Sequence, residues 1–128
     1  MRLLLDTHAL LWFLREPEKL PAHVIEEIGR SGRDAAVSIA TLWEIRIKVS
    51  LNKLSLPKEY DELFPAAVID SGMSLLQIEP RHLATLRHLP QHHRDPFDRL
   101  LIAQAKTDGL TLVSCDPHFP MYDVPILW

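Results

Sequence analysis

Apolar positions along the chain follow two rhythms, and their alternation predicts the order of elements. Leu3-Leu4-Leu5 is an unbroken apolar run of the kind found in a strand covered on both faces. Ala35 to Ile39, Leu75 to Ile78 and Leu110 to Ser114 read as further strands, and Val124 to Trp128 as an edge strand. Between them the apolar residues switch to helical spacing. A helix is predicted from Ala9 to Arg15, stopping before Pro17. Pro21 opens another, with Val24, Ile25 and Ile28 on one face and Gly29 to Gly32 as its end. Leu42, Ile45 and Val49 mark a third. Tyr60, Leu63, Phe64, Ala67 and Val68 mark a fourth, which precedes Ser71-Gly72. A short helix from Pro80 carries Leu83 and Leu86, and Asp95-Pro96 opens the clearest helix, which runs to Asp108-Gly109.

Strands alternating with helices predict an α/β fold, a mostly parallel sheet of four to five strands between two layers of helices. No repeat or linker divides the sequence, so residues 1–128 read as a single domain. A hydrophobic fraction of 47% supplies an ordinary core. The single cysteine, Cys115, has no internal partner, which suits a reducing, cytoplasmic setting. The N-terminal apolar run is broken at once by Asp6, so it is read as neither a signal peptide nor a membrane span. A net charge of −3 gives no global attraction to nucleic acid.

In a parallel sheet, sites lie beyond the carboxyl ends of the strands, and there the chain places acids. The first strand runs into Asp6, the second leads within a helical turn to Glu44, and the fourth leads to Asp116. Asp95 and Asp98 open the last helix, three residues apart and hence on one face. Carboxylates converging in one crevice repel one another and raise one another's pKa values; a divalent cation removes the conflict. Hard oxygen donors suit Mg²⁺ or Mn²⁺, and such a centre points to phosphodiester hydrolysis. Each acid also has a local explanation. Asp6 or Thr7 can cap a helix, Thr41 and Glu44 match a capping box, Asp95 before Pro96 suits an N-cap, Asp98 at the third helical position complements the helix dipole, and Asp116-Pro117 suits a turn.

Four segments carry a more specific signal. They are Leu4 to Trp12 (LLDTHALLW), Ser38 to Ile45 (SIATLWEI), Asp95 to Ala105 (DPFDRLLIAQA) and Leu112 to Asp116 (LVSCD). In this order they resemble the signature blocks of PIN-domain proteins, and most of all VapC-like toxins of bacterial toxin–antitoxin pairs. The resemblance spans nearly the whole chain. It implies a three-layer α/β/α fold and a Mg²⁺- or Mn²⁺-dependent endoribonuclease. It also implies a homodimer and a cognate antitoxin that inserts a peptide at the site. Asp6, Glu44, Asp98 and Asp116 match the acidic quartet, with Asp6, Asp98 and Asp116 as metal ligands. Thr7 and Ser114 match supporting hydroxyls, Ser114 standing where Thr is common. Asp95 is read as a cap or supporting partner of Asp98.

Other positions are less telling. His92, His93, Arg94 and Arg99 surround the last acidic pair and are candidate phosphate contacts. His88 and His92 are four apart, but Pro90 between them and the lack of a cysteine pair argue against zinc. Trp12 and Trp43 read as core; on an exposed face, aromatics would mark a dimer or antitoxin surface. Glu79 also follows a strand but lies outside the four blocks, so it is expected to be dispensable. Two other functions compete with the nuclease. A phospho-acceptor receiver domain would need an acceptor Asp where Ser38-Ile39-Ala40-Thr41 stands and a Lys after a late strand. A catalytically silent binding protein would not need the intact quartet.

Overall fold

The computed structural model describes all residues, Met1–Trp128. Five strands, β1 (Leu3–Leu5), β2 (Ala35–Ser38), β3 (Ser74–Leu76), β4 (Thr111–Val113) and β5 (Ile126–Leu127), form one sheet in the order β3-β2-β1-β4-β5. Every neighbouring pair is parallel, including the two-residue edge strand β5. Seven helices surround it: α1 (Thr7–Arg15), α2 (Ala22–Ser31), α3 (Ile39–Ser50), α4 (Tyr60–Leu63), α5 (Ala66–Asp70), α6 (Pro80–Leu86) and α7 (Pro96–Asp108).

The central strand explains the layers. Alternate residues of a strand point to opposite faces. Leu3 and Leu5 join a core with Ala9 and Leu10 of α1, Val24 and Ile28 of α2, Ile45 of α3 and Val68 of α5. Leu4 points the other way, to Leu101, Ile102 and Ala105 of α7 and to Phe119 and Tyr122. All three leucines are fully buried, which is why β1 carries no polar residue. Burying one such side chain contributes about 1.5–3 kcal/mol.

Some element boundaries differ from the sequence expectations, each for a local reason. The first helix starts at Thr7, because Asp6 caps it: Oδ1 accepts from the Ala9 amide at 2.8 Å. The second helix passes through Gly29 to Ser31. The second strand ends at Ser38, whose hydroxyl accepts from the Ala40 amide at 3.0 Å and caps α3. Glu44 therefore lies inside α3, and the capping box expected of Thr41 and Glu44 does not form. The single helix expected over Tyr60 to Val68 is two short ones, because Pro65 has no amide to continue the ladder. On α6 the buried side chain is His82, while Leu83 is exposed. The third and fourth strands are also shorter than expected, three residues each.

Candidate active site

β1 and β4 lie side by side at the centre of the sheet, and the Asp6 amide extends their ladder by donating to the Val113 carbonyl at 3.1 Å. Asp6 and Ser114 thus leave adjacent strands at the same edge, both buried. Ser114 Oγ accepts from the Asp116 amide at 3.0 Å and so fixes the turn that carries Asp116. From the second strand, α3 brings Glu44 to the same edge, 6% exposed. The Thr7 hydroxyl donates to Glu44 Oε1 at 2.5 Å, and Lys48, one turn along α3, holds Oε2 at 2.8 Å. The remaining acid comes from α7. Asp95 Oδ1 accepts from the Phe97 and Asp98 amides at 2.8 and 3.1 Å, so Asp95 is the N-cap. Asp98 lies in the first turn of α7, its Oδ2 3.0 Å from the His93 ring nitrogen that also meets Asp116.

The electrostatics record this convergence. Burial, and then the charges of Asp95, Glu44, Asp6 and Asp116, push the Asp98 carboxyl up to about 8. Asp6 is raised by burial, against hydrogen bonds from the Ser114 side chain and the Ala9 amide. Burial also acts to raise Asp116. The His118 amide, the His118 ring and the His93 ring outweigh it and hold that carboxyl below its ordinary value. Burial, reinforced by neighbouring carboxylates, drives one member to hold its proton near neutral pH, and such a set of acids is suited to a divalent cation. Asp6, Asp98 and Asp116 offer hard oxygen atoms for such an ion at this edge, while the three potential ligand atoms that lie within 4.8 Å of one another belong to His93, Asp116 and His118. Glu79, by contrast, is not among the acids that act on Asp98.

The basic residues divide into two groups. Arg94 and His92 are exposed, with the His92 ring edge-on to Tyr122 at 5.2 Å. Arg99 turns inward to the Pro90 carbonyl at 2.8 Å and the Tyr122 hydroxyl at 3.3 Å. His93 also turns inward, its Nε2 3.0 Å from Asp98 Oδ2 and 3.1 Å from Asp116 Oδ2. The sequence places His93 beside the last acidic pair as a candidate phosphate contact, but gives no sign that its ring turns inward to Asp116 or that His118 joins it there. His88, proposed with His92 as a zinc pair and set aside, takes no part in the cluster formed by His93, Asp116 and His118.

Trp43 is not a core residue: it is 58% exposed, its ring edge-on to Phe97 at 5.2 Å. It directly precedes Glu44, as Phe97 precedes Asp98, so an aromatic pair borders the acids. Trp12 is half-buried between His8 and Trp128.

The fold is similar to solved chains from three bacteria. One comes from VapBC2 of Rickettsia felis bound to a promoter DNA fragment, with a TM-score of 0.75 at 15% identity, covering 99% of this chain and 98% of that one. Another comes from DNA-bound VapBC of Salmonella typhimurium, with a TM-score of 0.74 at 17% identity, covering 99% and 97%. A third, from FitAcB of Neisseria gonorrhoeae, has a TM-score of 0.69 at 21% identity, covering 98% and 96%. At such identities the likeness is one of fold. No curated protein sequence matches the chain. The PIN-domain family model matches residues 3–125, almost the full length. By that match, and with the acids collected at the carboxyl edge of a parallel sheet, the chain belongs to the PIN-domain family.

Proposed function

We propose that the protein is a Mg²⁺- or Mn²⁺-dependent endoribonuclease and the toxin of a toxin–antitoxin pair. The observation that carries this reading is the placement of four acids at one edge of the sheet. Asp6 and Glu44 are buried there, and Asp98 and Asp116 share the His93 ring nitrogen at 3.0 and 3.1 Å, while burial and its acidic neighbours push Asp98 up to about 8. Carboxylates this crowded are costly unless a cation joins them. Membership in a nuclease family and the fold shared with VapBC and FitAcB chains support the same reading.

Asp6, Asp98 and Asp116 hold the cation. When bound, it supplies the positive charge that eases ionisation of the attacking water and offsets charge on the phosphate. Glu44 is locked between Thr7 and Lys48 and orients the water for in-line attack. Following the family resemblance, the products carry a 5′-phosphate and a 3′-hydroxyl. Asp95 supports Asp98 by capping its helix, and Thr7 and Ser114 support the ring through their hydroxyls. Exposed Arg94 and His92 meet flanking phosphates, which helps offset the net charge of −3. The protein works in the cytoplasm; no helix is long and apolar enough to cross a membrane. Its partners are RNA, a cognate antitoxin and a second copy of itself, and exposed Trp43 belongs to a protein-facing surface.

The test is cleavage of a mixed pool of tRNA, rRNA and mRNA by antitoxin-free protein with Mg²⁺, Mn²⁺ or EDTA, beside Asp6→Asn. Metal-dependent cutting that disappears in the variant is the expected result. Cutting that survives both EDTA and Asp6→Asn overturns the mechanism. No cutting of any RNA, with metal bound and the fold intact, favours a binding protein instead.

A further inference from the structure

His93 is a basic residue beside the acids, yet its ring is directed at them and not outward, with its side chain 13% exposed. The Asp95 amide donates to Nδ1 at 3.1 Å. An imidazole nitrogen that accepts a hydrogen bond carries no proton, so the ring N–H resides on Nε2. That N–H donates to Asp116 Oδ2 at 3.1 Å, and the same nitrogen lies 3.0 Å from Asp98 Oδ2. On its other side Asp116 is held by His118, whose amide and ring Nδ1 donate to Oδ1 at 2.8 and 3.0 Å. A carboxylate oxygen has two lone pairs. The His118 groups occupy both on Oδ1 and His93 occupies one on Oδ2. Asp116 is left with a single free lone pair, and its direction is set by His93.

We infer that His93 is a positioning residue: it fixes Asp98 and Asp116 so that their remaining lone pairs converge on one cation, and it neither ligates that cation nor contacts RNA. This rests on reading the acids as the metal centre of a nuclease. Ligation through Nε2 would require the proton to sit on Nδ1, facing the Asp95 N–H, so the backbone itself opposes it. The surrounding segment is built to hold the ring still. The Tyr122 hydroxyl accepts from the His92 and His93 amides at 3.1 and 2.9 Å and donates to the Pro90 carbonyl at 3.1 Å. Arg99 reaches that carbonyl as well. Behind the ring lie His118, with centroids 4.7 Å apart, and Phe119 at 6.0 Å. Groups that orient ligands in this way typically govern roughly 10–100-fold in metal affinity.

Mn²⁺ binding, read from the EPR signal of the free ion at fixed pH, tests this on the parent, His93→Ala, His93→Gln and His118→Ala, with folding followed by far-UV circular dichroism. His93→Ala should weaken binding roughly 10–100-fold. His93→Gln, whose amide N–H reaches toward the same oxygens, should recover most of the loss. His118→Ala should have a smaller effect, because its backbone amide still holds Oδ1. Independently of any variant, long-range ¹H–¹⁵N correlation spectra of the parent should show His93 protonated at Nε2. An Nδ1–H pattern, or unchanged Mn²⁺ affinity in His93→Ala, overturns the inference. Weaker RNA binding with unchanged Mn²⁺ affinity makes His93 a phosphate contact and overturns it too. A parent that binds no Mn²⁺ sinks the metal-nuclease reading and this inference together. A parent that binds Mn²⁺ and cuts RNA, beside an equally avid His93→Ala, sinks the inference alone.

Discussion

The Thr7 hydroxyl donates to Glu44 Oε1 at 2.5 Å, tying the first residue of α1 to the middle of α3 across the carboxyl edge of the sheet. Both groups are buried. With Lys48 on Oε2, Glu44 has a partner on each oxygen and one defined orientation. Thr7→Val keeps the shape but removes the donor, leaving a buried carboxylate oxygen short of a partner, at a cost of about 1–3 kcal/mol in stability. RNA cleavage should fall roughly 10-fold or more. Thr7→Ser, which keeps the hydroxyl, should stay close to the parent. The comparison is made by cleavage rate and thermal midpoint on the same preparations. Equal rates for Thr7→Val and the parent would remove Thr7 from the supporting set.

Asp98 sets the pH dependence of cation binding. With its carboxyl pushed up to about 8, a proton must leave before the oxygen can serve as a ligand. Apparent Mn²⁺ affinity should therefore rise about tenfold per pH unit from pH 6 toward 8 and flatten above. Stability without divalent ions should move the other way. The folded carboxyl binds its proton more tightly than the unfolded one, so stability falls as pH rises from about 4 through 8. Asp98→Asn should flatten both slopes, leaving the smaller contribution of Asp6, which burial also raises. Isothermal titration with Mn²⁺ and urea unfolding over this pH range measure them.

How far the site was legible depended on what kind of signal each residue gave. Asp6 and Asp116 could be found because a buried apolar strand ends beside each of them, and position relative to a strand can be read in one dimension. Asp95 was legible as a cap because Pro96 follows it. Glu44 was legible from its place within a helical turn of the second strand. The capping box that Thr41 and Glu44 match in sequence offered it a purely local role, and that box does not form because Ser38 captures the Ala40 amide first and begins the helix earlier. His93 was legible as a sequence neighbour of Asp95 and Asp98 and read as a phosphate contact, but that it and His118 meet at Asp116 was not legible. They meet there because the Tyr122 hydroxyl gathers the chain around Pro90 to His93, a contact across some thirty residues that no spacing rule encodes. Trp43 was misread as core for a related reason: its apolar character is visible in sequence, but its place at the rim of the α3–α7 junction is not.

A second cluster of charges lies at the opposite edge of the sheet. Arg81 grips Asp108 with two hydrogen bonds, at 3.0 and 3.1 Å, and buried His82 reaches the same carboxyl at 3.0 Å. The Arg81 guanidinium, followed by the His82 ring, outweighs burial and holds Asp108 below the ordinary carboxylate value. A depressed carboxyl contributes stability that is fully present above its unfolded value, about 3.9, and is lost as pH falls through the folded one. Asp108→Asn should therefore lower stability at pH 7 and show a flatter acid limb than the parent below about pH 4. Arg81 is 54% exposed, so salt should shrink the difference. Cleavage at pH 7 should be unchanged, since this clasp is remote from Asp6. Acid titration of thermal midpoints at low and high salt provides the measurement.

Glu79 separates an acid that merely follows a strand from an acid that belongs to the site. It comes shortly after β3, much as Asp6 follows β1, but β3 is an edge strand with β2 between it and β1. Its backbone amide donates to His82 Nδ1 at 3.0 Å and starts α6, so the local structure accounts for it without chemistry. The charges that raise Asp98 are chiefly those of Asp95, Glu44, Asp6 and Asp116. Glu79→Gln keeps size and polarity while removing the charge. Metal-dependent cleavage and Mn²⁺ affinity should both match the parent, beside an Asp6→Asn control that loses activity. A large loss of cleavage in Glu79→Gln, with thermal stability retained, would mean that the site extends across β2 to the edge of the sheet.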